Sequence, residues 1–239
     1  MKGSAFMKLG IMQPYFLPYL GYWQLMNAVD TYVVYDDVNY IKGGYINRNS
    51  ILINKEAKNI NLILSGATPT KHINEIFVNE SLVQKRKILS KIQMAYAKAP
   101  NYGSVYQVLE KVFLQQEINL AKYLYNSFKI VSEYLNINTK ILLSSELKKD
   151  CSLKGKDKVI SICKLLEADE YYNSVGGMEL YDKDEFAENG IKLSFLKMDN
   201  DIVYKQFNNE FVPNLSIIDI MMFNSKNECK RLLEKYTLL

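Results

Sequence analysis

The first part of the chain alternates between strand-like and helix-like patterns of apolar residues. The apolar runs "KLGIMQ" (8–13) and "TYVVYD" (31–36) contain β-branched and aromatic residues typical of buried strands. Between them, "YLGYWQLMNA" (19–28) is interpreted as a short helix. A strand, a helix and a strand within so few residues predict a parallel crossover unit.

The same alternation returns in the second half of the chain. The runs "TKILLSS" (139–145), "EYYNS" (170–174) and "IKLSFLKM" (191–198) predict three more strands, with helical patterns between them. Asn189-Gly190 is a natural helix end directly before the last of these strands. We therefore predict an α/β fold, with a mostly parallel sheet and flanking helices.

Two segments depart from this rhythm. Gly43-Gly44 and Asn54-Lys55 punctuate the β-rich residues 37–67, which predicts a β-hairpin appendage. From Leu82 onward the apolar period becomes helical, and aromatic residues line one face of each helix as core residues do. Residues 82–136 are therefore predicted to form a central helical insertion.

Length and composition restrict the class of protein. With 239 residues, 48% of them hydrophobic, the chain can bury the core of a single α/β domain, predicted over 7–239, with residues 1–6 interpreted as a cloning remnant. The net charge is only +4, and the basic run "QKRKILSK" (84–91) lies on a helical pattern, so no DNA partner is expected. Every apolar run is far shorter than the ~20 residues that cross a bilayer, which predicts a soluble protein with no transmembrane segment.

The cysteines and the histidine exclude several kinds of site. Three cysteines without a Cys-x-x-C pair favour a reducing, cytoplasmic setting, and Cys163 is expected to be a small buried residue on a helix. The single histidine, His72, excludes a histidine-rich zinc site and is expected at the surface. No metal ligands are predicted, although a carboxylate magnesium site stays open. The absence of a G-x-S-x-G elbow disfavours a serine hydrolase.

Candidate site residues follow the predicted strands. Ligands of open parallel sheets bind outside the carboxyl ends of the strands, so the residues at those ends are informative. In this chain they are Gln13-Pro14-Tyr15, Asp36-Asp37, Ser144-Ser145 and Ser174-Val175-Gly176-Gly177. Pro14 and Pro18 are expected to fix a rigid loop that holds Gln13 and the aromatic rings of Tyr15 and Phe16 over a pocket. Polar turn residues are also common at strand ends for structural reasons, and this alternative has about equal weight.

Three of these features have specific chemistry. Successive strand residues point to opposite faces, so at most one of Asp36 and Asp37 is expected to reach a reacting group as a base. The planar fork of Arg48 suits a pyrophosphate, although a structural arginine bound to backbone carbonyls is the default alternative. Gly176-Gly177 allows backbone N–H groups to approach an anion, without the fingerprint of a P-loop or a dinucleotide fold.

Three blocks of the sequence resemble the WbqC-like protein family. They are "MQPYFLPYLGYWQLMNAVDTYVVYDDVNYIKGGYINRN", "YYNSVGGMELYDKDEF" and "FVPNLSIIDIMMF", which occur in that family's order. The positions that match the family pattern are Gln13, Pro14, Pro18, Gly21, Asp36, Asp37, Asn47, Arg48, Gly176, Gly177, Tyr181 and Asp219. Many relatives have His where this chain has Met12. A catalytic histidine at that position is therefore not carried over.

The resemblance implies a role in bacterial surface polysaccharide (O-antigen) biosynthesis. The implied reaction transfers an acyl or aminoacyl group, with glycine as one proposal, to the amine of a nucleotide-linked deoxyamino sugar. The resemblance leaves the donor open among a thioester, a carrier protein and an aminoacyl-tRNA. The sequence does not determine the oligomeric state.

Such a transferase needs a base, phosphate contacts and oxyanion donors. We assign the base to Asp37 or Asp36, the phosphate contacts to Lys42 and Arg48, and the oxyanion to the Gly176-Gly177 amides. The other candidate substrate contacts are Gln13, Tyr15, Asn47, Ser174 and Tyr181. In contrast, Ser216 as a helix cap and Asp219 in the following first turn are expected to be structural.

Two further hypotheses stay open. The strand, proline loop and helix of the opening segment are similar in outline to nucleotidyltransferase-like ATP-dependent amide ligases, although the paired histidines of those enzymes are absent. A noncatalytic sugar-nucleotide-binding subunit is the second alternative, because aromatic and Asn/Asp-rich loops suit carbohydrate binding as well as catalysis.

Overall fold

The computed structural model describes residues 6–208 and 210–239. Residues 1–5, most of the segment interpreted as a cloning remnant, lie outside the described residues. The strands and helices in chain order are β1 (Lys8–Met12), α1 (Leu20–Asn27), β2 (Thr31–Val34), β3 (Arg48–Ile53), β4 (Glu56–Asn61), β5 (Leu64–Ser65), β6 (Phe77–Val78), α2 (Leu82–Tyr96), α3 (Tyr102–Phe113), α4 (Leu120–Leu135), β7 (Lys140–Leu143), α5 (Gly155–Leu165), β8 (Glu170–Ser174), α6 (Lys183–Glu188), β9 (Lys192–Met198), α7 (Ile217–Phe223), α8 (Lys226–Leu233) and β10 (Tyr236–Leu238).

The main sheet has six strands in the order β10-β9-β8-β1-β2-β7. All neighbouring strands are parallel except β10, which is antiparallel to β9. From the central β1 the chain runs to one side through β2 and β7, and then crosses to the other side for β8 and β9. The predicted α/β fold with a mostly parallel sheet is confirmed, and its topological switch point lies between β1 and β8.

The sheet separates two hydrophobic cores. Along β2 the side chains alternate: Tyr32 and Val34 face the larger core, and Val33 faces the smaller one. The larger core also contains the buried residues of α1 to α4, α7 and α8, whereas α5 and α6 cover the smaller core. Cys163 is fully buried in the smaller core, where burial raises its pKa to about 12. The prediction that Cys163 is a small buried residue is therefore confirmed.

The two predicted departures from the α/β rhythm are present in the structure. Strands β3 and β4 pair as an antiparallel hairpin, and its turn residues Asn54 and Lys55 have φ values of +50° and +69°. A second small antiparallel pair, β5 and β6, follows it. Helices α2 to α4 then lie between β6 and β7 in the chain, within the range predicted for the helical insertion. Within the described residues, no helix combines the length and the apolar character needed to span a membrane.

Two C-terminal elements were not predicted from the sequence. Helix α8 contains few apolar residues, although its capping box, Ser225 with Glu228, was a readable start signal. Strand β10 is only three residues long, which is too short for a periodic pattern. It pairs with β9 through Tyr236 and Met198, and so closes one edge of the sheet.

Candidate functional site

The loop after β1 is held by a buried asparagine. Asn49, on β3, donates from Nδ2 to the carbonyl oxygens of Phe16 (3.1 Å) and Leu17 (2.9 Å). Leu17 has a φ of +42°, a conformation that costs energy in a residue with a side chain and persists only where surrounding contacts compensate for that cost. The expectation that Pro14 and Pro18 belong to a rigid loop agrees with these contacts. The expectation that the Phe16 ring lies over a pocket is wrong, because Phe16 is fully buried in the larger core, where its ring packs edge-on against Phe113. Asn49 was not predicted as a site residue, because an asparagine within a strand carries no distinctive signal.

The C-terminal block of the chain binds the same loop. Ser216 donates from Oγ to the Leu17 carbonyl oxygen (2.6 Å), and the Ile217 amide donates to the Pro18 carbonyl oxygen (2.9 Å). Trp23 Nε1 also donates to the Pro18 carbonyl oxygen (3.1 Å). Segments that are about 200 residues apart in sequence therefore fix one loop together.

Tyrosine rings surround this loop. The Tyr15 ring lies 5.6 Å from the Tyr22 ring and 5.8 Å from the Tyr45 ring, measured between centroids. Tyr22 also donates its hydroxyl to the Gln13 carbonyl oxygen (2.9 Å). Gln13 and Tyr15 are half-buried, and Tyr45 is 58% exposed. The loop therefore presents an aromatic surface at the carboxyl end of the central strand.

Asp36 is a buried connection between neighbouring strand ends. It is 1% exposed and accepts hydrogen bonds from Ser145 through the backbone N (2.9 Å) and Oγ (2.6 Å). Burial raises the pKa of Asp36 even though these hydrogen bonds favour the ionised form. Its geometry explains how the end of β2 is joined to the turn after β7.

Asp37 has a different environment, because two lysines bind it. Lys149 Nζ lies 2.8 Å and Lys158 Nζ lies 3.0 Å from Asp37 Oδ2. The lysine side chains are only 1% and 8% exposed, whereas the Asp37 side chain is 14% exposed. Burial acts to raise the pKa of Asp37, but the hydrogen bonds and charges of its partners outweigh burial and lower the pKa. Ser144 is one of these partners: its buried hydroxyl lies near the carboxylate without a hydrogen bond of ordinary geometry.

Neither Lys149 nor Lys158 was predicted as a site residue. Lys149 belongs to the polar run "ELKKD", and Lys158 lies in the N-terminal part of α5, where solvent-exposed side chains are the usual expectation. Only the tertiary structure brings both ammonium groups to one carboxylate. Lys158 Nζ also donates to the Asp37 carbonyl oxygen (2.8 Å) and lies 5.0 Å from the centre of the Tyr35 ring.

The residues proposed to contact phosphate lie around the turn before β3. Arg48 donates from its guanidinium to the Gly43 carbonyl oxygen, and Lys42 is exposed in the same turn. Asn47 donates to the Leu62 carbonyl oxygen (2.9 Å) and accepts from the Tyr40 hydroxyl (2.9 Å). The contacts of Asn47 are those of a structural residue.

The turn after β8 contains the two candidate glycines. Gly177 is buried, and a Cβ there would lie 2.9 Å from the Asn173 side chain, so packing requires glycine. At Gly176 a Cβ would meet only Ser174 Oγ, at 3.7 Å. Tyr181 packs with its ring edge-on to Tyr171, at 5.9 Å, within the smaller core.

Asp219 is the centre of a buried hydrogen-bond network. Ser216 caps α7 as predicted, with its Oγ accepting from the Ile218 amide (3.3 Å). Asp219 accepts from the Tyr96 hydroxyl (2.7 Å), the Tyr204 hydroxyl (2.7 Å) and Gln206 Nε2 (2.6 Å). These contacts join the C-terminal block to α2, which agrees with the structural role expected for Asp219.

The strand order brings the candidate residues into two neighbouring groups. One group lies at the switch point: Gln13 and Tyr15 follow β1, and Ser174, Gly176 and Gly177 follow the adjacent β8. The other group, Asp36 and Asp37 with the two lysines, lies outside β2 and β7. No three His, Cys, Asp or Glu side chains converge as metal ligands within the described part of the chain, and His72 is exposed as expected.

These features define an α/β protein of the doubly wound type, with a candidate ligand site at the switch point of its sheet. The chain belongs to the WbqC-like protein family, whose model matches residues 13–231. It is also similar to "Uncharacterized protein Rv1507c" of Mycobacterium tuberculosis, with 25% identity over 218 residues that cover 90% of this chain and 92% of the relative. No solved structure matches significantly.

Proposed function

We propose that the protein is a cytoplasmic transferase of surface polysaccharide biosynthesis. It adds an acyl or aminoacyl group to the amine of a nucleotide-linked deoxyamino sugar. The observation that carries this proposal is the switch point itself, where a rigid aromatic loop after β1 lies beside a glycine turn after β8. The chain belongs to the WbqC-like family, and the substrate class is the one that the resemblance to this family implies.

Each side of the switch point has a role in binding. The Tyr15 and Tyr45 rings, 5.8 Å apart, offer an aromatic surface for the sugar. Lys42 lies in the same turn as Tyr45, and Arg48 is the first residue of β3, directly after that turn. We therefore assign the diphosphate to these two cations. Gln13 and Ser174 follow the adjacent strands β1 and β8, and we assign to them the polar contacts to sugar hydroxyl groups.

The transfer step forms a C–N bond and breaks the bond between the acyl carbon and its leaving group. The sugar amine attacks the acyl carbonyl, and the nitrogen of the resulting adduct becomes acidic. The side chain of Asp37 is 14% exposed, whereas Asp36 as a whole residue is 1% exposed. Asp37 is therefore the more accessible carboxylate, and we assign to it the role of receiving that proton. Its lowered pKa makes it a weak base, which suffices for a proton that is already acidic.

The glycine turn is assigned to the oxyanion. Packing requires glycine at 177 but not at 176, so Gly176 is the position where the absence of a side chain is available to a ligand. The Gly176→Ala variant is expected to lose at least tenfold in turnover with unchanged thermal stability. The matched Gly177→Ala variant is expected to lose stability, because its Cβ would lie 2.9 Å from Asn173.

The first experiment is a thermal-shift titration with UDP- and dTDP-linked amino sugars, ATP and coenzyme A, each with and without magnesium. A ligand that binds only the native state raises the unfolding temperature. An amino-sugar nucleotide is expected to do so, and Arg48→Ala is expected to abolish the shift. Arg86→Ala, at an exposed position on α2, is the matched control and should keep it.

Product analysis by mass spectrometry then separates the alternatives. Amide formation with a thioester, carrier or aminoacyl-tRNA donor supports the transferase. Release of AMP or pyrophosphate during amide formation would indicate the ATP-dependent ligase instead. Tight sugar-nucleotide binding without turnover by any donor would identify a noncatalytic binding subunit, and full turnover in Asp37→Asn would remove Asp37 from the base role.

A further inference from the structure

A cavity of about 370 Å³ lies outside the carboxyl end of β9. It is bounded on one side by Tyr19 and Leu20, and on the other mainly by residues within 198–204 and 211–215. Pockets for small molecules commonly measure about 300–1,000 Å³. The cavity is therefore large enough for a small ligand, and none of the site residues assigned above lines it.

The walls of the cavity are aromatic and apolar. Tyr204 and Phe211 have ring centroids 5.0 Å apart in an edge-to-face arrangement, and Tyr19 also lines the cavity. Tyr204 is held by its hydrogen bond to the buried Asp219 (2.7 Å). This wall is consequently ordered by a network in the core, as suits a binding surface prepared before the ligand arrives.

The polar groups of the cavity select against phosphate. Its lining contains one carboxylate, Asp199, and two amides, Asn200 and Asn214, but no lysine or arginine. A phosphate in this cavity would meet a like charge and no cation, which is unfavourable. A neutral ligand with hydrogen-bonding edges and an aromatic face would instead match both the rings and the amides.

We propose that this cavity binds the nucleoside part of the activated sugar. The base packs against the tyrosine and phenylalanine rings, its polar edge meets the asparagine amides, and the ribose hydroxyls donate to Asp199. An aliphatic acyl chain fits less well, because it would remove water from these polar groups without replacing their hydrogen bonds. This inference rests on the proposed function, since it locates one part of the proposed substrate.

The cavity is connected to the switch point through Tyr19. Tyr19 lines the cavity and also ends the loop that contains Tyr15. Within the aromatic surface around that loop, the Tyr15 ring lies 5.8 Å from the Tyr45 ring, measured between centroids. A nucleoside in the cavity would direct its diphosphate past Tyr19 toward the turn with Lys42 and Arg48.

The test is calorimetric titration of the full chain with uridine, thymidine, adenosine and guanosine, and with the corresponding diphosphates and inorganic pyrophosphate. At least one free nucleoside is expected to bind, and its diphosphate is expected to bind more tightly. Val203→Trp places a large ring at a cavity residue that is 66% exposed, and should weaken nucleoside binding at least tenfold. Val83→Trp, at a 63% exposed position on α2 outside the cavity, is the matched control and should change nothing.

Asp199→Asn provides a second variant. It is expected to weaken uridine or adenosine binding at least fivefold and to leave the corresponding 2′,3′-dideoxynucleoside unaffected, because only the ribose hydroxyls meet Asp199. Thermal unfolding of each variant verifies that the chain still folds.

The possible results separate this inference from the proposed function. If an amino-sugar nucleotide binds wild type and Val203→Trp equally, the cavity assignment is wrong and the transferase proposal stands. If nucleosides bind in the cavity but no amide product forms with any donor, the cavity assignment stands and the transferase proposal fails. If neither nucleosides nor sugar nucleotides bind the wild-type chain, both are wrong.

Discussion

Two turns at the same edge of the sheet, the neutral corner after β1 and the charged corner after β2, are stabilised by different interactions. After β1, the chain is held by neutral hydrogen bonds from buried side chains, chiefly Asn49 and Ser216, to backbone carbonyl oxygens. After β2, one carboxylate, Asp37, is held by the ammonium groups of Lys149 and Lys158 at 2.8 and 3.0 Å. The side chains of Asn49 and Ser216 do not titrate, so the contacts of the neutral corner do not depend on ionisation. The ion pairs of the charged corner do.

The difference separates positioning from chemistry. Neutral hydrogen bonds in a dry environment keep their geometry over a wide range of pH and salt, which suits the proposed role of the loop in holding Tyr15 over a ligand. An ionic cluster is sensitive to pH, and its carboxylate is the group to which the proposed function assigns proton transfer. The experiments below test this contrast by breaking one corner at a time.

The largest effect on stability is expected for Asp37→Asn. Removing the carboxylate charge leaves two nearly buried lysines without their counterion, and breaking such a pair should cost about 2 to 3 kcal/mol at pH 7. The measurement is urea unfolding monitored by fluorescence. Glu56→Gln, which breaks the exposed pair between Lys58 and Glu56, is the control and should leave stability unchanged. Equal effects of the two variants would contradict the account of the charged corner.

The difference in unfolding free energy between wild type and Asp37→Asn is expected to depend on pH. The pKa of Asp37 is lower in the folded chain than in the unfolded chain, so its contribution is present above the unfolded pKa and is lost as pH falls. The stability difference between wild type and Asp37→Asn should therefore shrink as the pH falls below about 4. Unfolding free energies measured at intervals from neutral to acidic pH test this, and a difference that stays constant or widens would contradict the assignment.

A smaller effect is expected for Asn49→Ala at the neutral corner. The Phe16 carbonyl oxygen would lose its donor in a buried site, and Leu17 would keep only the bond from Ser216, so stability should fall by about 2 kcal/mol. This loss should be independent of pH between about 5 and 8, unlike that of an ionic contact. Asn59→Ala, an exposed position on β4, is the matched control.

The smallest effect is expected for Tyr204→Phe. Asp219 would lose one of the three hydrogen bonds that it accepts, which should lower stability by about 1 kcal/mol. Tyr45→Phe removes a hydroxyl from a ring that is 58% exposed and should leave stability unchanged. If nucleosides occupy the cavity, Tyr204→Phe should also weaken their binding less than Val203→Trp does. If Tyr204→Phe weakened nucleoside binding more than Val203→Trp, the hydrogen bond that orders the Tyr204 ring would matter more for binding than the free volume of the cavity.

The sequence by itself determined the α/β fold class, the hairpin after β2 and the cap at Ser216. These features follow from local rules: the alternation of buried side chains along a strand, the period of a helix, and the hydrogen bonds of a capping hydroxyl. It also identified the loops at the strand ends, because in a parallel sheet the polar turn residues meet at one edge.

Only the tertiary structure decided which distant side chains contact those loops. Asn49 and Ser216 meet the β1 loop across 32 and 199 residues of sequence, and Lys149 and Lys158 reach Asp37 from a segment beyond the helical insertion. No periodic pattern encodes such contacts, because they depend on how distant elements pack. The strand order β9-β8-β1-β2-β7 has the same origin: the sequence predicts parallel strands, but the packing of helices on each face decides which strands are neighbours.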